Sequence, residues 1–324
     1  MAEPSLRAVL RARRRLDGVI RQTPLEPSRW LSDHADTPVY LKLECWQRTL
    51  SFKVRGAYNA IAVLGERAVR QGVVAASAGN HGLGVALAAR ELGARATVFV
   101  PTEAPAAKKQ RIRELGAELR EIEGGYDRAE DAARADAHES EACFVHPYAD
   151  PEVIAGQGTV GLEILELLPA PGTIIVPVGG GGLIAGVGAV VKRLAGPDTR
   201  VIGVQTERAC ALHDALYGHE RGDVAAPGTT LADGLAGGVD PDSVARVRAV
   251  VDEVVLVDET DLACAIGALF HRHGLVVEGA GAVGVAALQC GLVRPDGPTV
   301  IVLSGGNIDG ARLAPLISGN AWRH

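Results

Sequence analysis

Ile174-Ile-Val-Pro-Val-Gly-Gly-Gly-Gly-Leu-Ile-Ala-Gly-Val187 decides the fold. Its first five residues form a short, β-branched apolar run that reads as a buried strand. Four glycines follow, and an apolar helical stretch begins without a gap. Strand, glycine turn and helix in that order are the repeating unit of a parallel α/β protein. Outward from this segment the same alternation continues. Candidate strands are Val39–Leu43, Gly72–Ala76, Ala96–Val100, Val201–Val204, Val254–Val257 and Pro298–Leu303, besides Ile174–Val178 itself. Helical patterns lie over 54–69, 80–92, 106–115, 127–138, 156–168 and 183–195.

The section 72–148 reads as a self-contained run of alternating strands and helices, ending at Phe144-Val-His-Pro-Tyr148 before the turn-like Ala149-Asp-Pro151. The reading is therefore two domains: residues 72–148 as a small one, and 1–71 plus 149–324 as a larger, discontinuous one. Each has a mostly parallel sheet flanked by helices. A site belongs in the cleft between them.

Composition narrows the function. Hydrophobic residues make up 47% and charged residues 22%, as in a globular protein with a generous interior. The net charge of −6 argues against nucleic acid as a partner. The run Arg11, Arg13, Arg14, Arg15 is the local exception. Leu6, Val9, Leu10, Leu16 and Ile20 recur around it at helical spacing, so it reads as the solvated face of an amphipathic helix. No apolar run approaches the ~20 residues of a membrane span, and no signal peptide stands at the start. The reading is no membrane and a cytoplasmic location. Cys45, Cys143, Cys210, Cys264 and Cys290 are scattered, and the histidines show no metal-ligand spacing, so no metal site is expected.

Four strand-to-helix turns carry the chemistry. In Thr49-Leu-Ser-Phe-Lys-Val-Arg-Gly-Ala57, a lysine stands at a helix start. Ordinarily that is a solvated charge. Here Ser51 reads as an N-cap, Phe52 gives apolar cover, and the positive helix end lies beside the amine, all of which lower its pKa toward nucleophilicity. In Ala76-Ser-Ala-Gly-Asn-His-Gly82, small residues leave backbone N–H groups open to a carboxylate, although Ser77 and Asn80 serve equally as helix caps. Val178-Gly-Gly-Gly-Gly-Leu183 could be a flexible linker, but between strand and helix it has the geometry of a phosphate cradle. Leu303-Ser-Gly-Gly-Asn307 puts a hydroxyl at a strand's carboxyl end, as a cap or as a ligand contact. An amine for an aldehyde, a carboxylate nest, a phosphate cup and a hydroxyl fit one cofactor, pyridoxal 5'-phosphate (PLP).

The order and wording of these motifs resemble the fold-type II PLP enzymes (tryptophan synthase β-like), in the serine/threonine dehydratase and serine racemase family. The motifs are nearest to those of short catabolic-type threonine dehydratases. The resemblance runs from Arg21-Gln-Thr-Pro-Leu25 to Asn307, with further matches at Ile154-Ala-Gly-Gln-Gly158, Ala232-Asp-Gly234 and Glu278-Gly-Ala-Gly-Ala282. It implies that Lys53 is the Schiff-base lysine and the base that removes the Cα proton. It also implies that Phe52, Asn80, Gly179, Gly180, Gly181, Gly182, Leu183 and Ser304 bind the cofactor. Among these, Asn80 meets the 3-oxygen, residues 179–183 the phosphate and Ser304 the pyridine nitrogen. Ser77, Ala78, Gly79, Asn80 and His81 would frame a small amino-acid substrate, with Arg128 near its side chain. The implied reaction is elimination of water from L-threonine or L-serine, giving a 2-oxo acid and ammonia, in a homodimer or homotetramer.

Two departures bear on the reaction. Racemases of this family carry Ser at the position of Ala78, where the hydroxyl serves the second face of Cα; an alanine favours dehydration. The family's divalent-metal carboxylates fall at Gln205 and Ala211, so that cage is not expected here. Only 17 residues follow Asn307, so a C-terminal regulatory domain is not expected. Other readings are an amino-acid racemase, a dehydratase for hydroxyaspartate or phenylserine, or a non-catalytic PLP binder. A nicotinamide enzyme has only a G-x-G-x-x-A variant at Gly180, Gly182 and Ala185 to support it. The next strand leads to Gln205 rather than to an acid.

Overall fold

Ten strands form two sheets in the computed structural model, which describes residues 5–219 and 229–319. The strands are β1 Leu25–Pro27, β2 Val39–Lys42, β3 Val73–Ala76, β4 Ala96–Pro101, β5 Glu118–Ile122, β6 Cys143–Phe144, β7 Thr173–Pro177, β8 Arg200–Thr206, β9 Glu253–Val257 and β10 Thr299–Val302. The larger sheet has the order β1-β2-β10-β7-β8-β9, parallel except for β1 against β2. The smaller, all-parallel sheet has the order β5-β4-β3-β6.

Among the described residues, the helices before the second sheet's last strand are α1 Leu6–Leu16, α2 Arg29–Ala35, α3 Lys53–Leu64, α4 Glu66–Gln71, α5 Asn80–Glu91, α6 Ala106–Glu114 and α7 Tyr126–Glu139. Those after it are α8 Pro151–Leu167, α9 Gly182–Leu194, α10 Ala211–Tyr217, α11 Pro241–Val250, α12 Glu259–His273, α13 Gly279–Gln289 and α14 Gly310–Ser318.

Strand periodicity sorts the cores. On β7, Ile174 and Val176 face α8 and α9, while Ile175 faces α12 and α13. On β3, Val73 and Ala75 pack with α3 and α5, while Val74 and Ala76 pack with α7. Both faces of both sheets are covered, which is why the central strands are apolar throughout. Helix α3 touches both halves of the molecule. Ala57, Ala60 and Ile61 join the core of the smaller sheet, and the same helix lies against α8.

Three local readings change. The helix expected over 54–69 breaks at Gly65, whose φ of 54° ends α3 and lets α4 start afresh. Helix α8 starts at Pro151, earlier than its apolar pattern. Asp150 Oδ1 accepts from Glu152 N at 2.7 Å, and Pro151 stands in the first turn, so the apparent turn is a helix cap. Strand β5 escaped notice because Glu118-Leu-Arg-Glu-Ile122 is an edge strand carrying three charges, the composition that discourages edge pairing.

The arginine-rich first helix is not simply solvated on its polar side. Val9, Ala12 and Leu16 bury against α8, and Leu10 is exposed. Arg13 reaches Glu163 and Glu166, and Arg15 reaches Asn59 and Glu152. Beneath it lies a fully buried ionic quartet. Arg55 of α3 grips Glu44 through Nε and NH2 at 2.7 Å each, and Glu163 of α8 through NH1 at 2.6 Å and NH2 at 2.9 Å. Lys42 Nζ adds a bond to Glu163 Oε2 at 2.6 Å and one to Thr23 O at 2.7 Å. Two cations balance two anions. Burial pushes the Glu163 carboxyl up, yet Arg55 and Lys42 together hold it below its ordinary value. Truncating Arg55 leaves two buried carboxylates short of a cation. Arg55→Met should therefore lower the unfolding free energy by about 3–5 kcal/mol, read as a fall in the urea midpoint. A change within ~0.5 kcal/mol, the scale of an ordinary surface substitution, would show the quartet is dispensable.

Candidate active site

The four turns converge. Phe52 and Lys53, residues 77–81, residues 179–183 and Ser304 all line one cavity of about 350 Å³ between the two sheets. Backbone bonds bring the strand ends together. Phe52 N donates to Ser304 O at 3.1 Å, Gly306 N to Leu50 O at 2.8 Å, and Cys45 N to Leu303 O at 2.9 Å. The lysine turn is thereby stitched to the end of β10.

Lys53 is the first residue of α3. Ser51 does not occupy the capping position expected for it. Phe52 stands there without a side-chain cap, and Ser51 Oγ instead accepts from Lys53 N at 3.3 Å. Lys53 Nζ donates to Pro147 O at 2.9 Å and lies 5.3 Å from the centre of the Phe52 ring. Removal of water lowers its pKa to about 8, against an upward pull from Glu278. The amine is thus substantially neutral in mildly alkaline solution, as a nucleophile must be.

The glycine turn is shaped by Tyr148. A Cβ on Gly180 would lie 2.4 Å from the Tyr148 ring, and one on Gly182 would lie 2.8 Å from Tyr148 O. Gly181 has φ 88°, in the left-handed region. Side chains are excluded, so bare backbone faces the cavity. The first-turn N–H groups of α9 have no intrahelical acceptors, and the helix dipole adds positive potential. This is an anion cradle.

The loop over 77–81 opens α5. Gly79 N donates to Ser77 Oγ at 3.1 Å. His81 behaves otherwise than expected: its ring is buried, with Nε2 at 2.8 Å from Val145 O. A carbonyl only accepts, so Nε2 carries the proton and Nδ1 is left bare, without a partner. Burial first, then Lys53, lowers its pKa to about 3. A neutral imidazole cannot attract a carboxylate by charge; at this loop the donors open to an anion are the backbone N–H groups of the α5 first turn. Ser304 is buried, its Oγ 3.4 Å from Ala280 O.

Arg128 is not brought to the site. It is exposed on α7, while Tyr126, one half-turn earlier, lines the cavity. Gln205 and Ala211 are likewise occupied elsewhere: Gln205 Oε1 accepts from His213 N at 2.7 Å, and Ala211 opens α10. Several lining residues went unassigned by sequence reasoning, namely Lys108, Arg111, Tyr148, Asp233, Glu278 and Asn307. Lys108 and Arg111 are spaced i, i+3 on one face of α6, which could have flagged them. Glu278 was visible as a lone carboxylate before a run of small residues. Burial pushes its carboxyl up to about 7, with Asp233 adding to the rise.

A desolvated amine facing an anion cradle, inside an α/β cleft, defines a site for a phosphorylated aldehyde. Comparison with known proteins agrees. The family described as "Pyridoxal-phosphate dependent enzyme" matches residues 16–305. An L-threonine ammonia-lyase of Thermotoga maritima is 46% identical over 94% of this chain and 76% of its own. The catabolic L-threonine dehydratase of Escherichia coli is 39% identical over 95% and 94%. Among solved structures, maize serine racemase superposes with a TM-score of 0.90 at 31% identity, covering 98% of this chain and 97% of that one. The chain belongs to the pyridoxal-phosphate dependent enzymes of fold type II, in the threonine dehydratase family.

A base is neutral above its pKa, so attachment of PLP to the apoprotein, trapped with borohydride, should rise as the pH climbs through about 8. An ordinary lysine would need a pH of about 10.4. Peptide mapping should place the adduct on Lys53. A midpoint near that of free lysine, or an adduct elsewhere, contradicts the site.

Proposed function

We propose that this chain is an ammonia-lyase for a small L-3-hydroxy amino acid, L-threonine or L-serine, releasing a 2-oxo acid and ammonia. The observation that carries the reading is the single cavity shared by the Lys53 amine, the anion cradle and the 77–81 loop. The names of the relatives at 46% and 39% identity support the substrate class.

Lys53, the 179–183 backbone, Asn80 and Ser304 would hold the cofactor. When bound, PLP supplies an electron sink for charge developing at the substrate Cα. The first turn of α5 binds and orients the substrate carboxylate with its open N–H groups. Lys53 Nζ takes the Cα proton, for which a pKa of about 8 is well matched near neutral pH. Ser304 Oγ is a neutral hydrogen-bond partner, so it does not force a proton onto the pyridine nitrogen as a carboxylate would. That moderates the sink and favours loss of the β-hydroxyl over return of a proton to Cα.

The 0.90 TM-score to a serine racemase raises racemisation as a second reading. Ala78 argues against it. Position 78 lines the cavity but offers only a methyl group, and racemisation requires a proton carrier on each face of Cα. The same family reading carries a homodimer or homotetramer in the cytoplasm, whose mass light scattering measures.

The test is an assay of the purified holoenzyme with L-threonine and L-serine for 2-oxo acid and ammonia. Lys53→Ala should lower kcat by about 10³-fold or more, because nucleophile and base are lost together. Chiral chromatography should find little D-serine from the wild type and a measurable amount from Ala78→Ser. Abundant D-serine from the wild type, or no 2-oxo acid from either substrate, overturns the proposal.

A further inference from the structure

The side-chain amide of Asn80 is hydrogen-bonded at both ends, and the outer partners leave the connecting chain only one direction. Arg111 of α6 donates through NH1 to Asn307 Oδ1 at 2.7 Å. A guanidinium has no acceptor, so the Asn307 atom that faces it must be the oxygen. Asn307 Nδ2 then donates to Thr49 O at 2.8 Å and to Asn80 Oδ1 at 2.6 Å. Asn80 Nδ2 donates in turn to Glu278 Oε1 at 2.6 Å. Glu278 is buried and ends the chain as an acceptor. All four residues line the cavity. The chain starts on a helix of the smaller domain and ends at the cap of α13, which packs on the larger sheet.

We propose that Glu278 and Asn307 are positioning residues that set the polarity of the Asn80 amide, keeping its unspent N–H, and not its carbonyl oxygen, available to the cofactor's 3-oxygen. This rests on the PLP reading above. The amide carries two N–H hydrogens, and Glu278 uses one. Its oxygen is already engaged by Asn307. A reversed amide would set its oxygen against the cofactor's oxygen, acceptor against acceptor. Side-chain amides reverse readily on their own, so the orientation has to come from neighbours that accept only or donate only. Arg111 can only donate, and Glu278, once ionised above its pKa of about 7, can only accept, so the chain has one such neighbour at each end.

The test reverses the chain while keeping its net charge. Asn307→Asp retains an acceptor for Arg111 but can no longer donate to Asn80 or to Thr49 O. Adding Glu278→Gln to it lets the bonds form in the opposite sense, from the new glutamine amide to Asn80 Oδ1 and from Asn80 Nδ2 to the new carboxylate. Wild-type holoenzyme is first checked for the cofactor's visible absorption, and its absence would count against the PLP reading rather than against this one. Relative to Asn307→Asp, the double variant should regain melting temperature. Its PLP absorption bands should remain redistributed, and its PLP dissociation constant should stay raised about tenfold or more, the scale of one lost hydrogen bond to a charged oxygen. If the chain merely braces the two domains, bands and affinity return with stability, and the proposal fails. Should the double variant not fold, Arg111→Met removes only the donor that orients Asn307. A shift of the bands in the same direction supports the proposal, and unchanged bands with unchanged PLP affinity overturn it.

Discussion

Everything at the site depends on where α3 begins, and that is fixed by the buried guanidinium of Arg55. Two residues beyond Lys53, it is held by Glu44 next to the larger sheet and by Glu163 on α8, with Lys42 completing the charge balance. Such a cluster does not have to exceed a well-packed apolar core in stability. Its contribution is directional. A planar fork with five donors matches two carboxylates in one arrangement only, and displacing it exposes unpaired charge in the interior. The close approach of α3 to α8 reinforces this: a Cβ on Gly56 would meet Val153 O at 2.6 Å, and one on Gly156 would meet Arg55 O at the same distance. The lysine therefore emerges from a rigid base, although its cavity lies between two domains.

Burial then does the chemical tuning. It lowers the Lys53 amine to about 8, lowers the His81 imidazole to about 3, and raises the Glu278 carboxyl to about 7. Each shift favours the uncharged form, as desolvation must. In the proposed reading, the positive potential for the cofactor's phosphate comes instead from the backbone at the start of α9. A dipole fixed in the fold needs no counter-ion and no titrating group. On the same reading, that division leaves the Lys53 amine free to change its protonation state during turnover.

The glycines of 179–182 show how far a motif can be read. The sequence marks a turn between strand and helix and thereby an anion cradle. It does not say why side chains are excluded there. The Tyr148 ring is the reason at Gly180 and its carbonyl the reason at Gly182, and Tyr148 belongs to a segment some thirty residues earlier that leads out of the smaller sheet. The Arg128 expectation failed for a related cause. Position on α7 can be read from periodicity, but which helical face meets the cleft depends on how that helix packs on β3 and β4. The packing turns Arg128 to solvent and Tyr126 to the cavity.

The sequence by itself determined the α/β class, the positions of most central strands and the four turns, and it singled out Lys53, which the structure places in the cavity. Each of these is written in local pattern: β-branched runs, apolar periodicity, and small residues at strand ends. Only the tertiary structure decided the charged edge strand β5, the orientation of His81 and the membership of Glu278, Arg111, Asn307 and Tyr148 in the site. Edge strands lack the apolar signature because one side meets water. A polar side chain's role depends on partners far along the chain: Asn80 meets Glu278 and Asn307, separated from it by 198 and 227 residues. No local spacing encodes such contacts, because they exist only once two sheets and the helix between them have been packed together.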